Sequence, residues 1–156
     1  MKQYKKVLLA VATALFVSAP AVAESLRIGT EGAYPPFNQI DASGEVVGFD
    51  LDIAKALCAE MQVECTVVTS DWDGIIPALN NNKFDFLVAS MSITEERKKK
   101  VDFTVKYYNT PAKLVAKKNP GFEGTAAGLD GKRLGVQRAT THQCSAEKLY
   151  PGAELV

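Results

Sequence analysis

Histidine occurs once in the 156 residues, tryptophan once and cysteine three times. The one histidine, His142, rules out a histidine-rich metal set, and no Cys-x-x-Cys pair is present to supply thiolates. Any Ser-His-acid triad would have to pass through His142, which the pattern places in the first turn of a helix. Glycine-rich phosphate loops of the two common spacings are absent. The apolar run from Val7 to Val17 is about 11 residues, too short for a hydrocarbon core of about 30 Å, and no longer one follows.

That run follows Lys2, Lys5 and Lys6 and precedes Ala21-Val22-Ala23, the arrangement of an export signal over residues 1–23 cleaved before Glu24. The whole chain balances 18 basic residues against 18 acidic ones; without the three leading lysines the balance is 15 against 18, a net charge of −3. No basic field remains to attract nucleic acid. The 133 residues after the signal can bury a modest core.

What is present alternates between strand-like and helix-like pieces. The pivotal stretch is Gly48 to Met61, where Ile53, Leu57 and Met61 recur every four residues beside Ala54 and Cys58, predicting an amphipathic helix laid on a sheet with that face inward. Gly48 permits the turn into it, and Asp50 and Asp52 place carboxylates where the helix dipole favours negative charge. Leu26–Thr30, Cys65–Thr69, Phe84–Ala89, Ala112–Lys117 and Lys132–Gln137 read as strands, with Glu154–Val156 opening another. Helices are predicted after Ser70–Asp73, after Thr94, and from Thr140-Thr141 through about Lys148. Strand, helix, strand, helix, strand implies a mostly parallel, doubly wound α/β sheet. Cys58 ends the central helix and Cys65 opens the next strand, so a disulfide could staple the link, worth about 2–3 kcal/mol. Cys144 is left over, either as a buried free thiol or as a partner in a bond between molecules.

Such sheets bind ligands beyond the carboxyl ends of their strands, here the loops at Glu31–Phe37, Ser70–Asp73 and Ser90–Thr94. Arg97 lies one turn past Thr94 and can face back toward that loop, where its planar fork suits a carboxylate; the alternative is an exposed arginine in a charged helix. Ser90 and Ser92 add hydroxyls beside it. Thr140-Thr141 offers free amides at a helix start. Tyr34 and Trp72, on separate loops, can flank a flat or cationic side chain, or plug the strand ends as ordinary hydrophobics.

Four stretches in order carry a family likeness: Ile28–Phe37, Gly48–Ala59, Asp71–Leu79 and Ser90–Arg97. Together they resemble the periplasmic solute-binding proteins of polar amino-acid ABC importers, most of all the lysine/arginine/ornithine-binding branch. The resemblance implies an α/β, two-lobe periplasmic-binding-protein type II fold with doubly wound, mostly parallel sheets. It implies a monomer without cofactor that closes on one basic amino acid and presents it to an inner-membrane permease. Carried over by position, Arg97 holds the ligand's α-carboxylate with Ser92 and Thr141, and Ser90 meets the α-ammonium. Tyr34 and Trp72 enclose the side chain, Glu31 lies near its distal end, and Cys58 and Cys65 form the branch's disulfide. Ala89 stands where serine is common, leaving its carbonyl to serve, and His142 stands where glutamine is common. The family's chains are longer, so the likeness implies a C-terminally truncated sequence. On this reading residues 24–111 belong to the first lobe and residues 112–156 to a hinge strand and the start of the second. Two other functions share the scaffold: a cyclohexadienyl dehydratase, with Glu31 or His142 as its acid, and the ligand-sensing domain of a membrane receptor.

Overall fold

The computed structural model describes residues 25–156, so the export signal expected over residues 1–23 lies outside the described residues. The chain opens with β1 (Ser25–Thr30), followed by three short strands, β2 (Ala33–Tyr34), β3 (Asn38–Ile40) and β4 (Val46–Val47), that form a small antiparallel sheet. This sheet was not foreseen, because strands of two or three residues are too short to show a period. Its β3–β4 turn is built by Asp41, whose carboxylate accepts from the Ser43 and Glu45 amides at 2.8 and 3.0 Å. These bonds hold the Asp41 pKa below the usual carboxylate range, the Ser43 hydroxyl contributing most.

Helix α1 (Phe49–Met61) then crosses over to β5 (Glu64–Thr69), which pairs in parallel with β1 along its whole length, from Ser25 opposite Glu64 to Thr30 opposite Thr69. A 3-10 turn (Trp72–Gly74) and α2 (Ile75–Asn80) return the chain to β6 (Phe86–Leu87), parallel to β1 on its other side. The sheet order β5-β1-β6 puts the first strand in the middle, as two successive crossovers require. Gly29 in β1 sits against the side chains of Phe84 and Leu87, and a Cβ there would lie 2.5 Å from the Phe84 ring, so only glycine lets this ring pack on the strand. Gly48 leads into α1 at φ 126°, where a Cβ would lie 2.4 Å from the Phe37 carbonyl oxygen.

The core face of α1 is rotated from the expected one. Leu51, Ala54 and Cys58 are the buried apolar residues, and with Ile28 and Val88 the last two form one core cluster, while Leu57 and Met61 remain 46% and 48% exposed. Small Ala54 and the Cys58–Cys65 disulfide let the helix sit close to β1, and the bulkier Ile53 and Leu57 are displaced onto a neighbouring face. There they line an open groove of about 990 Å³ with Phe86, Val88, Phe103 and Val105. Asp50 and Asp52 stand in the first turn as expected, but no side chain caps the helix and Asp50 is fully buried. A second core cluster, Ile75, Ala78, Phe84 and Ala89, holds α2 to the other face of the sheet.

Helix α3 (Glu95–Lys98) follows, capped by Thr94, whose Oγ1 accepts from the Arg97 amide at 3.2 Å. Lys98 and Lys99 pair with Glu95 and Glu96 on its solvated side. The strand expected at Ala112–Lys117 is not formed; these residues are exposed and irregular. Their strand-like composition finds no ladder partner among the described residues, and an unpaired strand does not hold. Beyond them, β7 (Arg133–Leu134), α4 (Thr141–Leu149) and β8 (Glu154–Leu155) make a second parallel unit, Arg133 opposite Glu154. Of the two states expected for Cys144, a buried free thiol or a bond between molecules, burial is not met: it is a free thiol exposed on α4.

Candidate functional site

Three loops at the carboxyl ends of β1, β5 and β6 meet the N-terminal end of α4 around a small cavity of about 50 Å³. Glu31, Tyr34, Trp72, Ala89, Ser90, Ser92, Arg97, Thr141 and His142, the nine positions singled out from the sequence, all line it, together with Gln137 and Thr140. The sheet topology explains the convergence. Parallel strands bring their carboxyl-end loops to one edge, and α4 presents its first turn to that edge from the second unit.

Arg97 is held in the cavity by three contacts. Its guanidinium donates from Nη1 to the Ser92 carbonyl at 2.9 Å and from Nη2 to the Ala139 carbonyl at 3.2 Å, and sits 5.3 Å from the Trp72 ring centroid. A guanidinium has five N–H donors, so these two bonds leave three. Burial lowers its pKa from the ordinary value, with Cys144 opposing the change.

Trp72 donates its indole N–H to the same Ala139 carbonyl at 3.1 Å. Ala139 is held at φ 57°, outside the region most residues use. Tyr34 stacks on Phe37 with ring centroids 5.1 Å apart. The two cavity aromatics therefore come from different stacks, Tyr34 from an aromatic cluster with Phe37 and Tyr108, and Trp72 from beneath the guanidinium.

The segment between β7 and α4 clasps the loops of the first unit. Gln137 donates to the Glu31 carboxylate, Arg138 pairs with Asp73 at 2.9 Å, and Ala139 receives both Trp72 and Arg97. Thr140 then caps α4, accepting from the Gln143 amide at 3.1 Å while its hydroxyl donates to the Gln137 carbonyl at 2.7 Å. Thr141 is the first residue of that helix and His142, exposed, the second.

Ser90 is held at φ 52°. Its hydroxyl donates to Asp50 Oδ2 at 2.7 Å and its amide to the Tyr107 oxygen at 2.9 Å, while the Tyr107 hydroxyl donates to Asp50 Oδ1 at 2.8 Å. Burial first, and then Asp50, push the Tyr107 pKa far above its ordinary value, so the phenol keeps its proton. Asn38, also fully buried, bridges Asp50 to the Gly32 amide with bonds of 2.7 and 2.8 Å. Gln137, Asn38 and Tyr107 were not picked out from the sequence, and Asp50 only as an acid in the first turn of a helix. Only Asp50 carried a signal, because 50, 54 and 58 share one helix face and an acid on a buried stripe is out of place.

Among the described residues no group of three His, Cys, Asp or Glu side chains is placed to hold a metal, and no helix is long and apolar enough to cross a membrane. The cavity is instead a set of mixed charges, with a guanidinium and a carboxylate lining one small space.

The chain is 48% identical over 157 residues to the L-arginine-binding protein of Pseudomonas aeruginosa, a match covering 97% of this chain and 61% of that relative. Among solved structures it is similar to a Salmonella typhimurium periplasmic binding protein described for its high arginine specificity, with a TM-score of 0.80 and 36% identity over 86% of this chain and 59% of that one. It is also similar to an ancestral amino-acid-binding protein described as a precursor of cyclohexadienyl dehydratase, with a TM-score of 0.77 and 41% identity, covering 85% and 60%. The chain thus spans about three fifths of the length of the relatives it matches. Residues 26–143 match the profile of one family, and the chain belongs to it: the bacterial extracellular solute-binding proteins, family 3.

Proposed function

We propose that the cavity is a binding site for a free amino acid with a cationic side chain, arginine first among arginine, lysine, ornithine and histidine. The protein acts in the periplasm, as a monomer, and hands its ligand to an inner-membrane ABC permease. It binds and does no chemistry. In this reading Arg97 grips the α-carboxylate with Ser92 and the start of α4 at Thr141, and Ser90 and the Ala89 carbonyl receive the α-ammonium. Tyr34 and Trp72 flank the side chain, and Glu31, with His142 nearby, faces its distal charge. Residues 24–111 supply a first lobe, and residues 112–156 the crossover and the beginning of a second.

The observation that carries this reading is the guanidinium of Arg97, fixed over Trp72 and by the Ser92 carbonyl in a cavity that also holds the Glu31 carboxylate. A fixed cation and a fixed anion in one small space suit a zwitterion with an added positive charge. Calorimetric titration of the full-length protein with arginine, lysine, ornithine, histidine and neutral glutamine tests it. Saturable binding of at least one basic amino acid, tighter than glutamine, is expected; no binding of any of them overturns the reading. The likeness to a dehydratase precursor favours one rival, an enzyme in which Glu31 or His142 supplies the acid. Product formed from prephenate or arogenate would establish it.

A further inference from the structure

Asp50 is fully buried and does not line the cavity, yet three side chains around it, Asn38, Ser90 and Tyr107, face it as donors. A carboxylate has only lone pairs to offer, so Asn38, Ser90 and Tyr107 must each give it a hydrogen. The consequence falls on Ser90. Its single hydroxyl hydrogen points at Asp50 Oδ2, 2.7 Å away. The phenol of Tyr107 has likewise committed its only hydrogen to Asp50 Oδ1, so its oxygen can only accept, and what it accepts is the Ser90 amide at 2.9 Å. The left-handed backbone at Ser90 is what lets its amide and hydroxyl turn inward together. With both donors spent, Ser90 has only acceptors left for the cavity it lines, its hydroxyl oxygen and its main-chain carbonyl.

We infer that Asp50 is a positioning residue that makes Ser90 an obligate acceptor, so that this wall of the cavity takes an ammonium and refuses a carboxylate. This rests on the amino-acid-binding reading above and deepens it, because it gives that reading's placement of the ligand's two backbone charges a physical cause in Asp50. An ammonium has three donors and no acceptor, and a carboxylate the reverse. A ligand turned end for end would set its carboxylate against serine lone pairs, with the Asp50 carboxylate directly behind. In the correct pose the Asp50–hydroxyl bond polarises the serine oxygen and strengthens its bond to the ammonium. Asp50 acts through Ser90 and does not touch the ligand.

The test compares L-arginine with its desamino analogue, 5-guanidinopentanoate, on the full-length wild type, Asp50→Asn and Ser90→Ala. The melting temperature of each variant is measured alongside. Asp50→Asn places an amide donor within the network and removes the charge, so arginine affinity should fall by about tenfold or more, the size of a lost bond to a charged group. The desamino analogue should change by less than about threefold. Ser90→Ala should repeat this ligand-selective loss, and the double variant should be no worse than the larger single loss. If Asp50→Asn does not fold, Tyr107→Phe decides, since it frees the Ser90 amide to donate and should also weaken arginine selectively. Equal losses for the two ligands would reduce Asp50 to a structural role, and unchanged arginine affinity would overturn the inference outright. A wild type that binds no amino acid removes the functional reading itself, an outcome separate from either.

Discussion

Truncating Arg97 to alanine is the sharpest test of the cavity. The guanidinium makes two bonds to main-chain carbonyls, at 2.9 and 3.2 Å, and rests on Trp72, so it is held in place before any ligand arrives. Little ordering entropy is then lost on forming a two-pronged bond to a carboxylate. For a partly desolvated charge pair the loss on truncation is about 2–5 kcal/mol, roughly 30- to 5,000-fold in affinity. Arg97→Lys keeps the charge and loses the planar fork, so it should fall between wild type and alanine. Calorimetry with L-arginine on the full-length protein gives the affinity. Trp72, the only tryptophan, supplies an internal control: removing the cation above its ring should change its emission even without ligand. An Arg97→Ala protein that stays folded and binds within threefold of wild type would refute the argument, whatever its fluorescence did.

Two further perturbations test what holds the fold. Replacing Cys58 and Cys65 by serine reopens a loop of separation 7, which the loop-entropy relation values at about 2–3 kcal/mol, so the melting temperature should drop by roughly 5–15 °C; an unchanged transition would show that the bond constrains nothing. Asp85 accepts three bonds from the Arg27 amide and guanidinium, which together hold its pKa below the usual carboxylate range. A depressed folded-state pKa means the unfolded chain protonates first, so this stability is present above the ordinary aspartate value of about 3.9 and lost as pH falls below it. The urea midpoint of the wild type should therefore be level near neutrality and fall in acid, and Asp85→Asn should flatten that acid limb; parallel limbs would dismiss the pair.

The α1 stretch shows where pattern reading works and where it stops. Its length and its start were legible because thirteen residues hold three turns of period and Gly48 marks the turn. Which face points inward was not. Ile53-Leu57-Met61 and Asp50-Ala54-Cys58 are both series spaced by four residues, and hydrophobicity alone prefers the first. Packing chose the second because small residues approach the sheet closely, and because Asp50 finds three donors waiting there. Those donors come from positions 12 residues before, 40 after and 57 after, distances over which no local period carries information. The cavity residues were easier for a related reason. Carboxyl-end loops of parallel strands must converge, so Glu31, Trp72 and Ser90 could be grouped from strand order alone, whereas Gln137 enters through a contact across 106 residues.

The same contrast bears on how the proposed site would hold a ligand. Arg97, Trp72 and Glu31 stand on the first unit, yet each is already engaged by the segment Gln137–Ala139. A ligand carboxylate arriving at Arg97 meets a guanidinium with two donors committed and three to offer. A cationic side chain arriving at Glu31 must share that carboxylate with Gln137. Binding in this geometry adds to the clasp between the two units instead of replacing it, provided the Ala139 carbonyl keeps Trp72 and Arg97 aligned. Ligand affinity and the joining of the two units are then coupled quantities, because a ligand that touches both sides binds the joined arrangement more tightly than the separated one. That coupling depends on charges set in advance by local capping and by a buried carboxylate, which is why changes at Arg97 and at Asp50 should act on binding through opposite ends of the same ligand.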